Sequence, residues 1–208
     1  MISKFLMIDQ NGATNPFLCD AKTLDEINLQ LPSGVYTTFR TYEKIKTLQP
    51  ELHFDRLEKS AAILGTNLQI NRNHVRQVIR DTLQNLNAGD YRIRLSVDLE
   101  TGAHTIFLAF EPLLLPSKEL FRIGAVVILA QDVRRDTPQA KSTEFIRKAD
   151  EIRHHLPKGV NEALLTDASG RILEGLSSNF FSIRQGVLST ASEGVLEGIT
   201  REIVLRCA

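Results

Sequence analysis

Apolar and polar positions follow two different periods along the first half of the chain. Residues 35–42, VYTTFRTY, are β-branched or aromatic at most positions and predict a strand. The short run KIKTLQ follows Tyr42-Glu43 closely enough to return as the second arm of a hairpin. The period then lengthens. In LHFDRLEKSAAILG, Leu52, Leu57, Ala61 and Leu64 fall on one helical face, and Gly65 is placed to stop the helix. Asn73 is placed to cap a second helix through HVRQVIRDTLQNLN, with Val75, Val78, Ile79 and Leu83 turned inward. Two strands follow, YRIRLSVDL and HTIFLAFEP, joined by the turn-forming Glu100-Thr101-Gly102.

Pro116, in LLLPSKEL, breaks this pattern, and RIGAVVILA reads as a further strand. The expected organisation is an α+β N-terminal domain over residues 1–115, a linker at 116–119 and a second domain over 120–208. In the second part a helix is expected from about Thr143 to His155. Two strand-like runs, ALLTDASGRILE and NFFSIRQGVLST, are joined through Glu174-Gly175-Leu176-Ser177-Ser178-Asn179, which puts a carboxylate and small polar groups where the chain heads into a core. A last helix begins near Thr200, and Ile203, Val204 and Leu205 have almost no chain left to pack against. The expectation is a chain that lacks its last structural layer.

Composition narrows the function. Of 208 residues, 42% are hydrophobic and 24% charged, as in ordinary globular proteins. Lys plus Arg equals Asp plus Glu, 25 each, so no global field draws nucleic acid or membranes, and any anion site must be local. Cys19 and Cys207 form no CxxC pair and no disulfide framework, which suits a reducing cytosol. The apolar part of MISKFLMID is too short for a signal peptide, and no stretch approaches a membrane span. A cytoplasmic protein is expected, with no metal and with neither nucleic acid nor membrane as partner.

Four features carry candidate chemistry. Lys141, in PQAKSTEFI, follows the loop QDVRRDTP; a lysine there is commonly solvated, but a neutral amine near Arg134 and Arg135 would attack an aldehyde. Glu174 reads either as a turn carboxylate or as the partner of a protonated heterocycle nitrogen, with Ser177, Ser178 and Asn179 offering donors and acceptors around it. Gly198-Ile199-Thr200 opens a helix, whose N–H groups favour a phosphate unless Thr200 simply caps them. Arg56 in HFDRLEKSA can meet the same anion bidentately or face water. Taken together they describe one ligand, a phosphorylated, aldehyde-bearing heterocycle: pyridoxal phosphate.

At this point the chain resembles the class IV, or fold-type IV, pyridoxal-phosphate aminotransferases, which include branched-chain aminotransferase, D-amino acid transaminase and aminodeoxychorismate lyase. The motifs are GVYTTFRTY, HFDRL, QAKSTEF, NEALLTDASGRILEGLSSNFFSIRQGVLST and GVLEGITRE, in the family's order. The resemblance implies a two-domain enzyme: a small α+β N-terminal domain and a larger mixed α/β pseudo-barrel C-terminal domain, here truncated at its C-terminus. It implies that Lys141 forms the Schiff base and shuttles the proton, that Glu174 faces the pyridine nitrogen, that Arg56, Ile199 and Thr200 hold the phosphate, and that Leu196 packs on the ring. Ser177 and Ser178 would line the cofactor. Tyr36, Arg40, Arg92 and Arg94 lie on strands that the resemblance places at the active-site mouth, where they would hold an amino acid or 2-oxo acid.

The implied activity is transfer of an amino group by a homodimer. The alternatives are a lyase releasing pyruvate from 4-amino-4-deoxychorismate, and a non-catalytic truncated member. Ile146, where many aminotransferases of the family carry tyrosine, and Glu144, where asparagine is frequent, depart from a strict branched-chain pattern.

Overall fold

Alternating side chains on antiparallel strands build the sheet of the first unit. Its strands are β1 (Lys4–Ile8), β2 (Thr14–Pro16), β3 (Gly34–Tyr42), β4 (Lys46–Thr47), β5 (Tyr91–Asp98) and β6 (Ile106–Pro112), in the spatial order β2-β1-β6-β5-β3-β4. Every neighbouring pair is antiparallel. The register sets Val35, Thr37 and Phe39 opposite Val97, Leu95 and Ile93 on one face, and Tyr36, Thr38 and Arg40 opposite Ser96, Arg94 and Arg92 on the other. The computed structural model describes every residue except Ala88, Gln131, Asp132 and Arg134. The first unit comprises Met1–Leu114 and Ala140–Arg147, the second Leu115–Gln139 and Lys148–Ala208. The segment with Lys141 thus belongs to the first unit, although it follows residue 120 in the chain.

The two sheet faces are filled differently. On one, the short helix α1 (Leu24–Ile27) packs with Phe5, Leu31 and Phe107. On the other, α2 (Pro50–Ile63) and α3 (Arg72–Asn85) close a core around Leu57, Ile93, Leu95, Leu108 and Phe110. Val75, Ile79 and Leu83 of α3 are buried and Val78 is partly so, as the 3.6-residue period predicts. The α3 cap is Asn71, whose Oδ1 accepts from the His74 N–H at 3.1 Å, not Asn73. The stripe of α2 is also rotated from the expected one. It buries His53, Phe54, Leu57, Ser60 and Ala61, while Leu52 is half-buried and Leu64 is 42% exposed. Two polar side chains take core places because each finds a hydrogen-bond partner there. No element was expected before residue 35, yet β1 pairs along its whole length with β6.

In the second unit, Ser117 Oγ caps a six-residue helix, α4 (Lys118–Ile123), where a strand from Arg122 was expected. The strand itself, β7, covers only Val127–Ala130 and runs parallel to β8 (Glu162–Thr166), which pairs antiparallel with β9 (Ile172–Gly175). β10 (Ser182–Arg184) and β11 (Val187–Ser189) form a separate hairpin. Each run flanking the Glu174 loop is therefore two strands with a turn rather than one. In the first, Asp167 Oδ1 accepts from the N–H groups of Ser169 and Arg171 and folds the chain back. The helix α5 (Thr143–His154) follows Lys141, and α6 (Ile199–Cys207) ends the chain. No helix among the described residues is long and apolar enough to cross a membrane.

Candidate functional site

Lys141 is held at the free edge of β3. β4 pairs only with Thr41 and Tyr42 of that strand, and residues 141–142 lie along its earlier part. The Tyr36 N–H donates to the Lys141 carbonyl at 3.0 Å, and Val35 bridges to Ser142. The Lys141 N–H donates to Ser60 Oγ of α2 at 3.1 Å. Thr143 Oγ1 accepts from the Gly34 N–H and donates to the Gly34 carbonyl, which fixes the start of α5. Gly34 is required on the other side of the strand, where a Cβ would stand 2.0 Å from the Val97 carbonyl oxygen at the end of β5. The backbone on both sides of Lys141 is thereby pinned. Its Nζ lies 4.5 Å from the centroid of the Tyr36 ring.

Arg56 approaches the same strand from α2. Its Nη2 donates to Thr37 Oγ1 at 2.6 Å, and Thr37 Oγ1 lies 2.7 Å from His53 Nδ1. A guanidinium only donates, so Thr37 Oγ1 accepts from Arg56 and keeps its hydroxyl proton and a second lone pair for the contact with His53 Nδ1. Burial, then Arg56 and Lys141, push the His53 pKa down from 6.5 to about 3. Burial also lowers the Arg56 pKa to about 10, which leaves it charged at neutral pH. Its buried Nε has no acceptor among the described residues. This corner of the first unit is desolvated and positively charged.

The opposite face of β3 and β5 carries Tyr36, Arg40, Arg92 and Arg94 together. Arg94, 6% exposed, donates to the Leu24 carbonyl, to Asp25 at 3.1 Å and to Thr38 at 3.2 Å. Arg92 pairs with Glu111 at 2.9 Å, and Arg40 with Asp90 at 3.3 Å. All three arginines thus have carboxylate partners inside the first unit, and Arg94 braces α1 against the sheet. Tyr36 differs. It is buried between Arg94, whose Cζ is 5.2 Å from the ring centroid, and the Lys141 ammonium.

Glu174 is the hub of the second unit. Its side chain is 2% exposed and its Oε1 accepts from Arg135 Nε at 2.6 Å, with Arg135 only 4% exposed. Its Oε2 accepts from the Leu196 N–H at 3.1 Å and from Asn179 Nδ2 at 3.3 Å. Leu196 and Ile199 are buried, and Thr200 is exposed inside α6 rather than capping it. Gly198 is the N-cap, with no side chain bonded to the helix start. Ser177 and Ser178 are exposed and both donate to Glu162 Oε2, which tightens the loop after β9. Ile146 is buried in α5 and brings no hydroxyl, while Glu144 is exposed.

The structure therefore places Arg56, Lys141 and Tyr36 in the first unit, and Glu174, Ser177, Ser178, Leu196, Ile199 and Thr200 in the second. Sequence reasoning missed Thr37, His53 and Ser60. It read Arg135 as a neighbour of the lysine, whereas Arg135 is the ion-pair partner of Glu174. Arg134 lies outside the described residues. The signal that marks His53 and Ser60 is a polar residue at a core position of the helical repeat.

Residues 34–208 match the family described as amino-transferase class IV. A Methanocaldococcus jannaschii protein, provisionally assigned as a branched-chain-amino-acid aminotransferase, is 30% identical over 192 residues, covering 84% of this chain and 65% of that protein. The chain thus spans just under two thirds of that relative's length. A solved Thermotoga maritima structure, provisionally described as a branched-chain aminotransferase, has a TM-score of 0.75 at 27% identity, covering 98% of this chain and 73% of the other. The branched-chain aminotransferase of Thermoproteus uzoniensis, solved with norvaline, has a TM-score of 0.75 at 25% identity and covers 100% and 75% of the two chains.

Proposed function

The chain belongs to the class IV aminotransferase family, and from that premise we propose that it moves an amino group between an amino acid and a 2-oxo acid, with pyridoxal 5'-phosphate as cofactor. The observation that carries this reading is the part-buried Arg56 guanidinium, whose buried Nε lacks an acceptor among the described residues. A desolvated cation is costly until an anion meets it, and phosphate suits the guanidinium fork. The uncapped start of α6 offers backbone N–H groups with the same preference. Glu174 supplies a buried carboxylate for a protonated ring nitrogen, and Leu196 an apolar side chain for the ring. Each unit by itself carries groups that suit part of a phosphorylated pyridine aldehyde: an amine and a guanidinium in the first, a carboxylate and a helix start in the second.

When bound, the cofactor supplies an electron-accepting ring that stabilises negative charge at the substrate α-carbon. The residues of the chain do the rest. Lys141 would hold the cofactor through its aldehyde and would serve as the base that carries a proton to and from the substrate α-carbon. Arg56, Ile199 and Thr200 would hold the phosphate. Glu174 would keep the ring nitrogen protonated, and Ser177 and Ser178 would line the loop beside it. Tyr36 is the residue we set against the substrate. A substrate carboxylate reaching Arg40, Arg92 or Arg94 would compete with Asp90, Glu111 and Asp25. Branched-chain amino acids are the first substrates to test, given the names of the relatives, and a cytoplasmic homodimer is the form this reading carries.

The test is the visible absorption of the protein with added pyridoxal phosphate, before and after borohydride, beside Lys141→Ala. A new band that borohydride traps only when Lys141 is present supports the reading; no band in either protein overturns it. Loss of amino acid that requires a 2-oxo acid then identifies transamination, whereas pyruvate released without an amino acceptor would identify lyase chemistry.

A further inference from the structure

Asn179 stands where the carboxylate hub meets the chain that leads into α6. Its Nδ2 donates to Glu174 Oε2 at 3.3 Å and to the Leu196 carbonyl at 2.9 Å. Those bonds use both N–H groups of the amide. The same Glu174 oxygen accepts from the Leu196 N–H at 3.1 Å, so both backbone groups of Leu196 are tied to the pair. Neither a carboxylate nor a carbonyl can donate, and this fixes the orientation of the amide: Nδ2 faces the two acceptors and Oδ1 faces away from them. Oδ1 faces Gly198, where an added Cβ would stand 2.1 Å from it. An asparagine beside a helix start ordinarily caps it. Capping would use the acceptor Oδ1; here the donor side is spent on Glu174 and Leu196, Oδ1 faces Gly198, and no side chain caps α6.

We propose that Asn179 is a positioning residue. Its amide latches the loop Leu196–Gly198 onto Glu174, and so sets the spacing between the group that meets the ring nitrogen and the backbone that meets the phosphate. Gly198 is its steric complement. The purpose of the latch rests on the cofactor reading above; its geometry rests on contacts within the second unit alone. An aspartate could not replace Asn179, because it would set a second carboxylate against Glu174 and an acceptor against the Leu196 carbonyl. The glycine is not there for its backbone freedom, since Gly198 has φ −70° and ψ 137°, which alanine adopts without strain. Only the Asn179 amide excludes a Cβ.

This yields a double-substitution cycle on the intact chain: Asn179→Ala, Gly198→Ala and both together. Two quantities are read: the thermal midpoint of the cofactor-free protein, and the affinities for pyridoxal phosphate and for pyridoxal, which lacks the phosphate. Each single substitution should lower the midpoint and weaken pyridoxal phosphate about tenfold or more, as expected for a lost hydrogen bond to a charged group. Pyridoxal should weaken far less. Gly198→Ala should add little in the Asn179→Ala background, because the atom it displaces is gone. Additive midpoint losses would overturn the latch. Equal weakening of both ligands would reduce Asn179 to a packing residue and overturn its positioning role. A wild-type chain that takes up no pyridoxal phosphate would sink the cofactor reading, and the midpoint cycle would still decide the latch.

Discussion

Acidification from pH 7 to pH 5 should destabilise the first unit through His53. The imidazole is buried, lies 2.7 Å from Thr37 Oγ1 and faces Arg56 and Lys141, and its pKa falls from 6.5 to about 3. The unfolded chain therefore takes up a proton as the pH drops through 6.5, while the folded chain does not until near 3. The stability attached to this residue is complete above the unfolded value and is lost as the pH falls toward the folded one. The slope in between is about 1.4 kcal/mol per pH unit, so His53 alone removes about 2 kcal/mol between pH 7 and pH 5. That figure hardly changes for any folded pKa below about 4, because the unfolded state then does nearly all the titrating.

The assay follows from the composition. The chain has 3 tyrosines and no tryptophan. Tyr36, Tyr42 and Tyr91 all belong to the first unit, so tyrosine fluorescence in urea follows that unit. His53→Gln keeps a hydrogen-bond partner for Thr37 and removes the titration. The wild type should lose about 2 kcal/mol more than this variant over the interval, and parallel losses in the two proteins would refute the argument. Asp167 does not intrude. Its hydrogen bonds with Ser169 and Arg171 hold its carboxyl below the usual range, and it lies in the second unit.

Two further outcomes separate stability from binding. Arg135→Met strands the Glu174 carboxylate without its ion-pair partner at a site 2% exposed, and should cost about 3–5 kcal/mol in urea unfolding followed by far-UV circular dichroism; adding Glu174→Gln should recover part of that loss. Arg56→Met removes a part-buried cation with no carboxylate partner among the described residues. It should shift unfolding by no more than about 1 kcal/mol yet weaken pyridoxal phosphate about 10- to 100-fold in an absorbance titration. A large stability loss without a binding defect would make Arg56 structural.

Much of the fold was legible because it rests on period. Val75, Ile79 and Leu83 recur at helical spacing, and β3, β5 and β6 stand where β-branched and aromatic residues cluster. What escaped was decided by partners distant in sequence. β1 is a strand because β6 offers an edge, β2 because β1 then offers its own, and α4 forms because Ser117 caps a segment with too few apolar neighbours to declare itself. The cap of α3 was read two residues late because Asn71 and Asn73 are equal in type, and only geometry tells which oxygen meets a helix N–H.

The site divides along the same line. The types at Lys141, Glu174 and Arg56 carry the proposed chemistry, in which amine, carboxylate and guanidinium are each assigned one part of a single ligand. Their pairing is not written in type. Arg135 sits six residues before Lys141 in sequence, and the fold nevertheless gives it to Glu174. Arg92 and Arg94 alternate as substrate-binding residues would, and the fold gives them to Asp25 and Glu111. The useful signal was a local contradiction. His53 and Ser60 break the apolar stripe of α2, and a polar side chain survives at a core position only where a partner meets it. Each partner here lies beside a residue of the site: Thr37, which receives Arg56, and the backbone of Lys141. Exceptions to the hydrophobic pattern thus pointed to the scaffold of the site, while the pattern itself pointed only to the core.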